Sequence, residues 1–382
     1  MSKYVGVLLV FVLAVSSAFE VLPVEAEGQM IVVPDTYQTI TEAIANADNG
    51  DTIFVRKGTY EGPVNQTVII DKTLSIVGEN AEETTINLHP AYNVQWLIGY
   101  PLFSYTDAIS IEANDVTLSN LTINISPGGN IRVSGDGVNI IGNKITKGGD
   151  TKEESNRNDA FYVVIDLLIS GSKCNITDNF SRFTSVRLDS SDNFVNKNRL
   201  SCIRMNSSDR NTISLNNFEL LELDSSFYNL IEKNNIDLND EPFNSIYFYQ
   251  SSHNFFQGNA INLGSQLNLD SKTENNTFYH NNFVSQDSHF SIDAVAHNVW
   301  DNGFEGNFWS SYNGSDFNGD GIGDSPYVID ANNVDRYPLM SPWTGSLPAP
   351  AFPSYLILPI AIVVVLAVAA VVFVIYIKKR RK

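Results

Sequence analysis

The chain contains 382 residues, with 24 Lys and Arg against 43 Asp and Glu, so its formal net charge at neutral pH is −19. Nucleic-acid phosphates repel a chain of this charge, which argues against DNA and RNA as partners. The two cysteines, Cys174 and Cys202, are too few for a disulfide framework, and the sequence does not decide whether they pair.

Residues 1–26 predict a secretory signal peptide. Lys3 precedes an apolar stretch that begins at Val5, and small residues follow from Ser16 to Ala18. A positive residue, a short apolar core and small residues in this order are typical of an exported protein. The apolar core is too short to span a bilayer, which disfavours an uncleaved anchor.

Residues 27–62 predict an N-terminal cap and a first strand. Ile40, Ala43 and Ile44 recur at the spacing of one helical face. We expect a short amphipathic helix that covers the open end of the core and so protects strand edges from pairing with other chains.

Residues 63–303 contain nine copies of a short repeat, in which two apolar residues flank one arbitrary residue and a small polar turn follows. The starts are 17 to 25 residues apart, except for one gap of 36 in which residues 147–158 form a predicted inserted loop. The nine copies start at Ile109, Ile131, Leu167, Val186, Ile203, Leu221, Ile246, Leu267 and Phe290.

The second half of the repeat reads Asn-x-apolar-x-x-Asn-x-apolar. Its clearest pairs are Asn193 and Asn198, Asn211 and Asn216, Asn229 and Asn234, Asn254 and Asn259, and Asn276 and Asn281. Repeats of this period stack into solenoids, and alternating apolar residues indicate strands with one buried face. The sequence therefore predicts an all-β fold: a right-handed, single-stranded parallel β-helix of about ten coils. We expect the asparagines to adopt the left-handed turn conformation and their amides to form a ladder, with Asn179 buried in it.

Outward residues between the apolar pairs stack from coil to coil about 4.8 Å apart, in a row that ends at Ser291 in the last copy. Arg recognises carboxylates or sulfates bidentately, and Tyr stacks on sugar rings, so the row is a candidate carbohydrate-binding strip. The alternative is structural, with aspartates closing turns and an Arg–Glu cross-strand pair contributing less than about 1 kcal/mol. The candidate residues in this row are Arg132, Arg187, Arg204, Glu222 and Tyr247, and two further candidates, Asp189 and Asp224, stand at the next outward position, in a second outward row.

Residues 304–341 predict a C-terminal cap with an acidic, Gly-rich loop. Its alternating oxygen-bearing residues followed by Gly resemble the first half of an EF-hand calcium loop, but Tyr327 stands where that motif needs Glu. We expect a calcium site of another extracellular type, with a metal-free acidic turn as the alternative. The candidate ligands are Asp316, Asn318, Asp320 and Asp324.

A copper site is disfavoured. Copper requires clustered His, Met or Cys ligands. His253 and His297 occupy equivalent repeat positions, but two coils separate their backbones by roughly 9–10 Å.

The remaining segments predict attachment to a membrane. Residues 342–354 form a Pro-rich stalk, residues 355–377 an uncharged transmembrane helix of 23 residues, and residues 378–382 a basic cytoplasmic tail. Residues 27–341 then lie outside the cell with 18 basic and 41 acidic residues, a net charge near −23. Some of their eight Asn-x-Ser/Thr sequons are candidate glycosylation sites.

Two blocks resemble known proteins. TYQTITEAIANADNGDTIFVRKGTYEG (36–62) with IIDKTLSIVGEN (69–80) resembles the opening of pectin-lyase-like β-helix proteins of the carbohydrate-binding and sugar-hydrolase type. GNFWSSYNGSDFNGDGIGDSPYVIDANNVDRYPLM (306–340) is similar to the end of NosD-like surface proteins. The resemblance implies a carbohydrate-related or metal-accessory role. The paired-acid motif of polygalacturonases and the Asp-Pro-His-Asp motif of mannuronan epimerases are missing from the sequence.

The sequence thus predicts a single-pass cell-surface protein that binds carbohydrate or serves as a structural module of the cell envelope. Its expected partners are an envelope or extracellular polysaccharide and, through the C-terminal helix, the membrane. One alternative is a polysaccharide-processing lyase, hydrolase or epimerase. The other is a copper accessory protein of the NosD type.

Overall fold

The chain folds into a parallel β-solenoid with three faces. The computed structural model describes residues 28–97, 100–126, 129–148, 165–181, 184–238, 246–263, 267–285, 292–294 and 296–345. The chain divides into two units, Met1–Ser341 and Pro342–Lys382, and every described strand belongs to the first. Within those ranges no helix is long and apolar enough to cross a membrane. The predicted signal peptide and transmembrane helix lie outside the described residues.

The strands group into three sheets, here named face A, face B and face C, which each coil visits in the order C, A, B. Face A has 11 strands: Met30–Val33, Thr52–Val55, Ser75–Gly78, Thr117–Ser119, Asn139–Ile141, Asn175–Thr177, Phe194–Asn196, Thr212–Ser214, Leu230–Glu232, Phe255–Gln257 and Thr277–Tyr279. Face C has 10 strands: Val68–Ile70, Asp107–Ile111, Asn130–Val133, Ile165–Ile169, Thr184–Leu188, Cys202–Asn206, Leu220–Asp224, Ile246–Tyr249, Leu267–Leu269 and Ile292–Ala294.

Face B consists of two segments of four and five strands, and single parallel bridges at Phe180 and Arg199 join them. Its strands are Gly58–Val64, Thr84–His89, Thr122–Ile125, Lys144–Lys147, Asn217–Phe218, Asn235–Leu238, Ala260–Leu263, Asn282–Ser285 and Phe308–Trp309. Two antiparallel pairs lie outside the faces: Tyr92–Leu97 with Tyr100–Tyr105, and Tyr327–Val328 with Val334–Asp335.

The predicted parallel β-solenoid is confirmed. On face C, Val186 and Leu188 are fully buried while Arg187 between them is exposed, as the two-residue period of a strand requires. Stacked coils pair these positions in register, so Val186 lies over Ile203 in the next coil. The inward side chains of all three faces form one continuous apolar core.

One predicted repeat is misplaced by two residues. The repeat pattern predicts that the last copy starts at Phe290 and that Ser291 belongs to the outward row. The structure instead pairs Leu267 with Ile292 and Asn268 with Asp293. The connection before this strand is two residues longer than the repeat pattern suggests, and residues 286–291 lie outside the described ranges.

Two ladders of buried asparagines follow the turns. The CA ladder, between faces C and A, links each backbone N–H to the next Asn Oδ1 at 2.8–3.0 Å. The AB ladder, between faces A and B, does the same at 2.9–3.1 Å. The CA ladder contains Asn193, Asn211, Asn229, Asn254, Asn276, Asn298 and Asn333. The AB ladder contains Asn143, Asn179, Asn198, Asn216, Asn234, Asn259, Asn281 and Asn307.

The predicted ladder and the burial of Asn179 are confirmed. The expected backbone conformation was wrong, because the left-handed conformation belongs to the residue before the asparagine in 12 of the 15 ladder positions, all except those before Asn298, Asn307 and Asn333. Arg210 before Asn211 has φ 55° and Lys197 before Asn198 has φ 53°. The asparagine therefore turns its amide inward, where burial makes each hydrogen bond obligatory.

A seven-residue helix, α1 (Ile40–Asn46), lies before the second strand of face A. Thr39 and Glu42 form a capping box at its start. At its end, the Lys72 ammonium donates to three backbone carbonyls at 2.7–3.1 Å. Ile40 and Ile44 are buried in the solenoid core. The capping role of this segment remains a prediction.

At the other end, both ladders finish on one short segment. Asn333 accepts from Trp300 Nε1 at 3.0 Å, and Asp335 accepts from Trp309 Nε1 at 2.8 Å. Trp300 and Trp309 are buried. A side chain at Gly306 would collide with Asp335, since a Cβ there would lie 1.8 Å from its Oδ1.

Candidate functional site

Face C brings the predicted strip together in the expected register. Arg187 lies directly beside Arg204, Arg204 beside Glu222, and Glu222 beside Tyr247. Arg132 is two coils from Arg187 across Leu168. Because neighbouring parallel strands lie about 4.8 Å apart, these side chains form one outward line, here called the central row.

The two adjacent arginines are held by carboxylates. Arg187 Nε donates to Asp189 Oδ1 at 3.1 Å, and Arg204 Nε donates to Glu222 Oε2 at 3.2 Å. The arginine side chains remain 46% and 38% exposed. Among described residues, their Nη groups have no protein acceptor, so each guanidinium presents free donors to solvent while its charge is partly offset.

Arg132 has a partner that the sequence analysis missed. Its guanidinium donates to Asp107 Oδ2 at 2.7 Å. A register shift between Asn130 and Ile131 places Asp107 within reach. Repeat spacing alone does not reveal such a shift. An acidic residue at the start of the preceding face C strand was the available signal.

Two tyrosines continue the face beyond the arginines. The rings of Tyr247 and Tyr249 are stacked, with centroids 5.6 Å apart and planes 9° from parallel. Burial raises the pKa of Tyr249 above its usual value, and the neighbouring charges of Glu222, Asp270 and Asp224 act in the same direction. The phenol is therefore neutral at physiological pH and retains its hydrogen for donation.

The second outward row is partly a structural feature. Asp189 accepts from both Arg187 and Asn206, and Asp224 accepts from the Ser225 hydroxyl at 2.9 Å. Ser208 and Ser226, which stand two residues after Asn206 and Asp224, are buried, and Ser208 N donates to Ser226 Oγ at 3.1 Å. This part of the structural alternative therefore holds, and the Arg204–Glu222 cross-strand pair exists as well.

The acidic loop is closed on itself. Asp316 accepts from the backbone N–H groups of Gly319, Asp320 and Gly321 at 2.8–3.2 Å. Asp324 Oδ2 accepts from Phe317 N at 2.8 Å. In the described ranges, no group of three or more His, Cys, Asp or Glu side chains is arranged to hold a metal. The calcium site remains a prediction.

Both cysteines are buried, free thiols. Burial raises the pKa of Cys174 to about 11, and it also raises the pKa of Cys202. A thiol in this state is a poor nucleophile. Cys202 lies beside Ser185 at an outward position of face C, and the Ser185 hydroxyl donates to Asp166. The repeat pattern does not reveal this row, because Ser185 and Cys202 are small and buried.

No protein-family model and no curated protein matches the chain. Solved structures do align with it. A PL6 alginate lyase in complex with a trisaccharide has 14% identity and a TM-score of 0.44, over 70% of this chain and 62% of that one. An alginate lyase from Paenibacillus has 11% identity and a TM-score of 0.41, over 70% and 99%. The A-module of a mannuronan C-5 epimerase from Azotobacter vinelandii has 10% identity and a TM-score of 0.37, over 70% and 87%.

These neighbours are pectin-lyase-like β-helix proteins, the group that the sequence resembles. The chain spans less than two thirds of the PL6 lyase. At such identities and TM-scores, no activity or substrate of this chain follows from them.

Proposed function

We propose that face C binds an acidic polysaccharide along the central row. The observation that carries this proposal is the alignment of Arg132, Arg187 and Arg204 with the stacked Tyr247 and Tyr249 on one exposed sheet face. Arginine donors recognise carboxylate or sulfate groups, and the tyrosine rings offer apolar surface to sugar rings.

The ion pairs orient the arginine side chains and still leave guanidinium donors free for a ligand. Asp189 and Glu222 hold the Nε side of each guanidinium and leave the forked Nη side outward. Such pre-positioned side chains lose less conformational entropy on binding than free ones. An acidic ligand would complete a bidentate interaction at a group that the protein has already oriented.

The test is a binding titration of the full-length protein with fluorescent oligogalacturonate and with its methyl-esterified, neutral form. The double variant Arg187→Gln, Arg204→Gln should bind the acidic form at least about 10-fold more weakly, a loss of roughly 1.4 kcal/mol. Added salt should weaken wild-type binding, because exposed charges are screened.

The matched control is Arg56→Gln, Arg210→Gln, which removes two exposed, carboxylate-paired arginines outside face C. Equal affinity losses in both double variants, or equal binding of the neutral form, would refute the proposal. Shortening of polygalacturonate in the same samples would indicate the polysaccharide-processing alternative.

We also propose that the protein displays this face at the cell surface, through the signal peptide of residues 1–26 and the helix of residues 355–377. Support comes from the apolar and basic pattern of the two termini. Protease treatment of intact cells should remove the solenoid and leave a short membrane-bound C-terminal fragment. Full protection of the solenoid from protease would contradict this proposal.

A further inference from the structure

A second groove lies away from face C, along the turn between faces A and B. It has a volume of about 450 Å³ and crosses four successive coils. Two rows line it. The turn row contains Asp178, Lys197, Leu215 and Lys233, and the face B row contains Phe180, Arg199, Asn217 and Asn235. Four coils extend over roughly 14 Å.

The groove concentrates cations that the protein does not neutralise. Within the described part of the chain, Lys197, Arg199 and Lys233 have no carboxylate within ion-pair distance. The arginines of face C differ, because each is paired. Lys197 and Arg199 lie on one coil and Lys233 lies two coils away, so their charges repel in a free protein, and Asp178, one coil from Lys197, offsets only part of this repulsion. Such cations are favourable where an anion is bound.

The backbone fixes the direction in which these side chains leave the turn. Lys197, Leu215 and Lys233 adopt left-handed conformations with φ of 53–57°. For a residue with a side chain, this conformation costs roughly 1–2 kcal/mol. Gly142 and Gly258 occupy the equivalent turn position in other coils. The groove coils therefore carry long side chains where glycine would be more stable, and the AB ladder lies directly beneath them.

Apolar and amide groups complete the groove. The Arg199 guanidinium lies 5.6 Å from the centre of the Phe180 ring, and that Phe side chain is 40% exposed. Leu215 is 48% exposed. Asn217 and Asn235 are exposed and adjacent on face B. Cations, an open aromatic ring and paired amides together match a ligand with negative charge, apolar ring faces and hydroxyl groups.

We propose that this groove is a second binding site for an acidic saccharide chain, separate from face C. The lining runs across four successive coils, a length that an extended chain can follow. The net charge of −19 repels every polyanion at long range, and it repels nucleic acid most strongly because duplex DNA carries about one charge per 1.7 Å of its length, whereas an acidic saccharide carries about one per sugar unit. Lys197 and Lys233 lie two coils apart, roughly 10 Å, and would contact anionic groups on separate sugar units.

The test compares two double variants of the full-length protein. Lys197→Asn, Lys233→Asn removes the groove charges with a residue that tolerates the left-handed conformation. The control variant is Lys173→Asn, Arg210→Asn. These two residues are also cationic and also have a left-handed backbone, with φ of 59° and 55°, but they belong to the turn between faces C and A. Both variants are made in the wild type and in the Arg187→Gln, Arg204→Gln background, so that face C does not mask the result.

Titrated with an oligogalacturonate, the groove variant should bind at least about 10-fold more weakly than the control in the face C background, corresponding to roughly 1.4 kcal/mol. Equal affinity of the two variants, or no saccharide binding in that background, would overturn the proposal. Tighter wild-type binding of single-stranded DNA or of phosphatidylserine vesicles than of saccharide would also overturn it. A face C that binds nothing would leave this result intact, because the two sites share no residue.

Discussion

The two asparagine ladders pass through the same coils but end at groups that differ in burial. The CA ladder ends on Asn333, whose amide donates to the half-buried Asp330 at 2.9 Å. The AB ladder ends directly on Asp335, a fully buried carboxylate. The CA ladder therefore ends at a carboxylate near solvent, and the AB ladder ends at a carboxylate inside the protein.

This difference separates two kinds of stabilisation. Along the coils both ladders consist of neutral amides that make equivalent bonds, so a change at mid-ladder should have the same effect in either. At the end, only the AB ladder depends on the ionisation of a buried group. The pH dependence of stability should therefore originate in the last coil rather than in the repeats.

The largest expected effect is the loss of a mid-ladder asparagine. Asn216→Ala removes the acceptor of Asn198 N, and Asn229→Ala removes the acceptor of Asn211 N. Each should lower the free energy of unfolding by about 3–4 kcal/mol, because a buried donor without an acceptor costs roughly 1–3 kcal/mol and the lost side chain's own bonds add to this.

Chemical denaturation would measure both variants against Asn217→Ala, an exposed neighbour whose loss should cost no more than about 0.5 kcal/mol. A large difference between the two ladder variants would show that the ladders are not equivalent.

The second effect concerns Asp335. Burial raises its pKa to about 6 from 3.8, against the opposing donors Trp309, Asn307 and Tyr337. The folded state therefore binds a proton more tightly than the unfolded state. This contribution to stability falls by about 2–3 kcal/mol as pH rises from 3.8 to 6. The difference in unfolding free energy between wild type and Asp335→Asn, measured from pH 4 to 7, should show this slope. A difference that does not vary with pH would contradict it.

The third effect has the opposite dependence of stability on pH. Burial disfavours the charge of Asp301, but the bidentate Arg336 guanidinium and two backbone N–H groups hold its pKa below 3.8. Its stabilisation is present above pH 3.8 and is lost as pH falls through the lowered pKa. Since Arg336 is largely exposed, Arg336→Gln should cost only about 1.5–2 kcal/mol at pH 7.

That cost should shrink in acid, as unfolding titrations at pH 3 and pH 7 would show. Arg210→Gln, which breaks an exposed pair with Asp192, is the control and should leave the unfolding free energy nearly unchanged at both pH values. An undiminished cost of Arg336→Gln at pH 3 would assign its role to packing.

The smallest effect concerns the loop of residues 316–324. This loop is attached beside the ladder ends, through Gly323 N to Pro338 O at 2.8 Å and Met340 N to Gly321 O at 3.0 Å. If it binds calcium, a concentration ten times the dissociation constant should add about 1.4 kcal/mol by linkage. Thermal unfolding would show the gain, and chelator or Asp320→Ala would remove it. Asp330→Ala, outside the loop, should keep the gain. Identical melting temperatures with calcium and with chelator would exclude the site.

Residue patterns predicted the repeated parts of this molecule because those parts obey one rule. Val186, Ile203 and Leu221 recur with a buried face, and their register is confirmed. Features that occur once were missed. The pairing of Asp107 with Arg132 depends on a register shift. The role of Asp335 as the end of the AB ladder is recognisable only from the structure of the last coil. The outward arginines were located correctly, but no repeat rule specifies what they bind.

The spacing of the ladders has a consequence for how such a chain changes length. Asn193 and Asn198 bond to Asn211 and Asn216, each 18 residues later. Loss or duplication of one 18-residue unit would leave every remaining amide opposite an identical partner, because each coil contacts only its neighbours. Both termini would keep their own contacts. A gene that encodes such repeats can therefore lengthen or shorten the solenoid by whole coils. Each added or lost coil would change the distance between the two ends of the solenoid by roughly 4.8 Å.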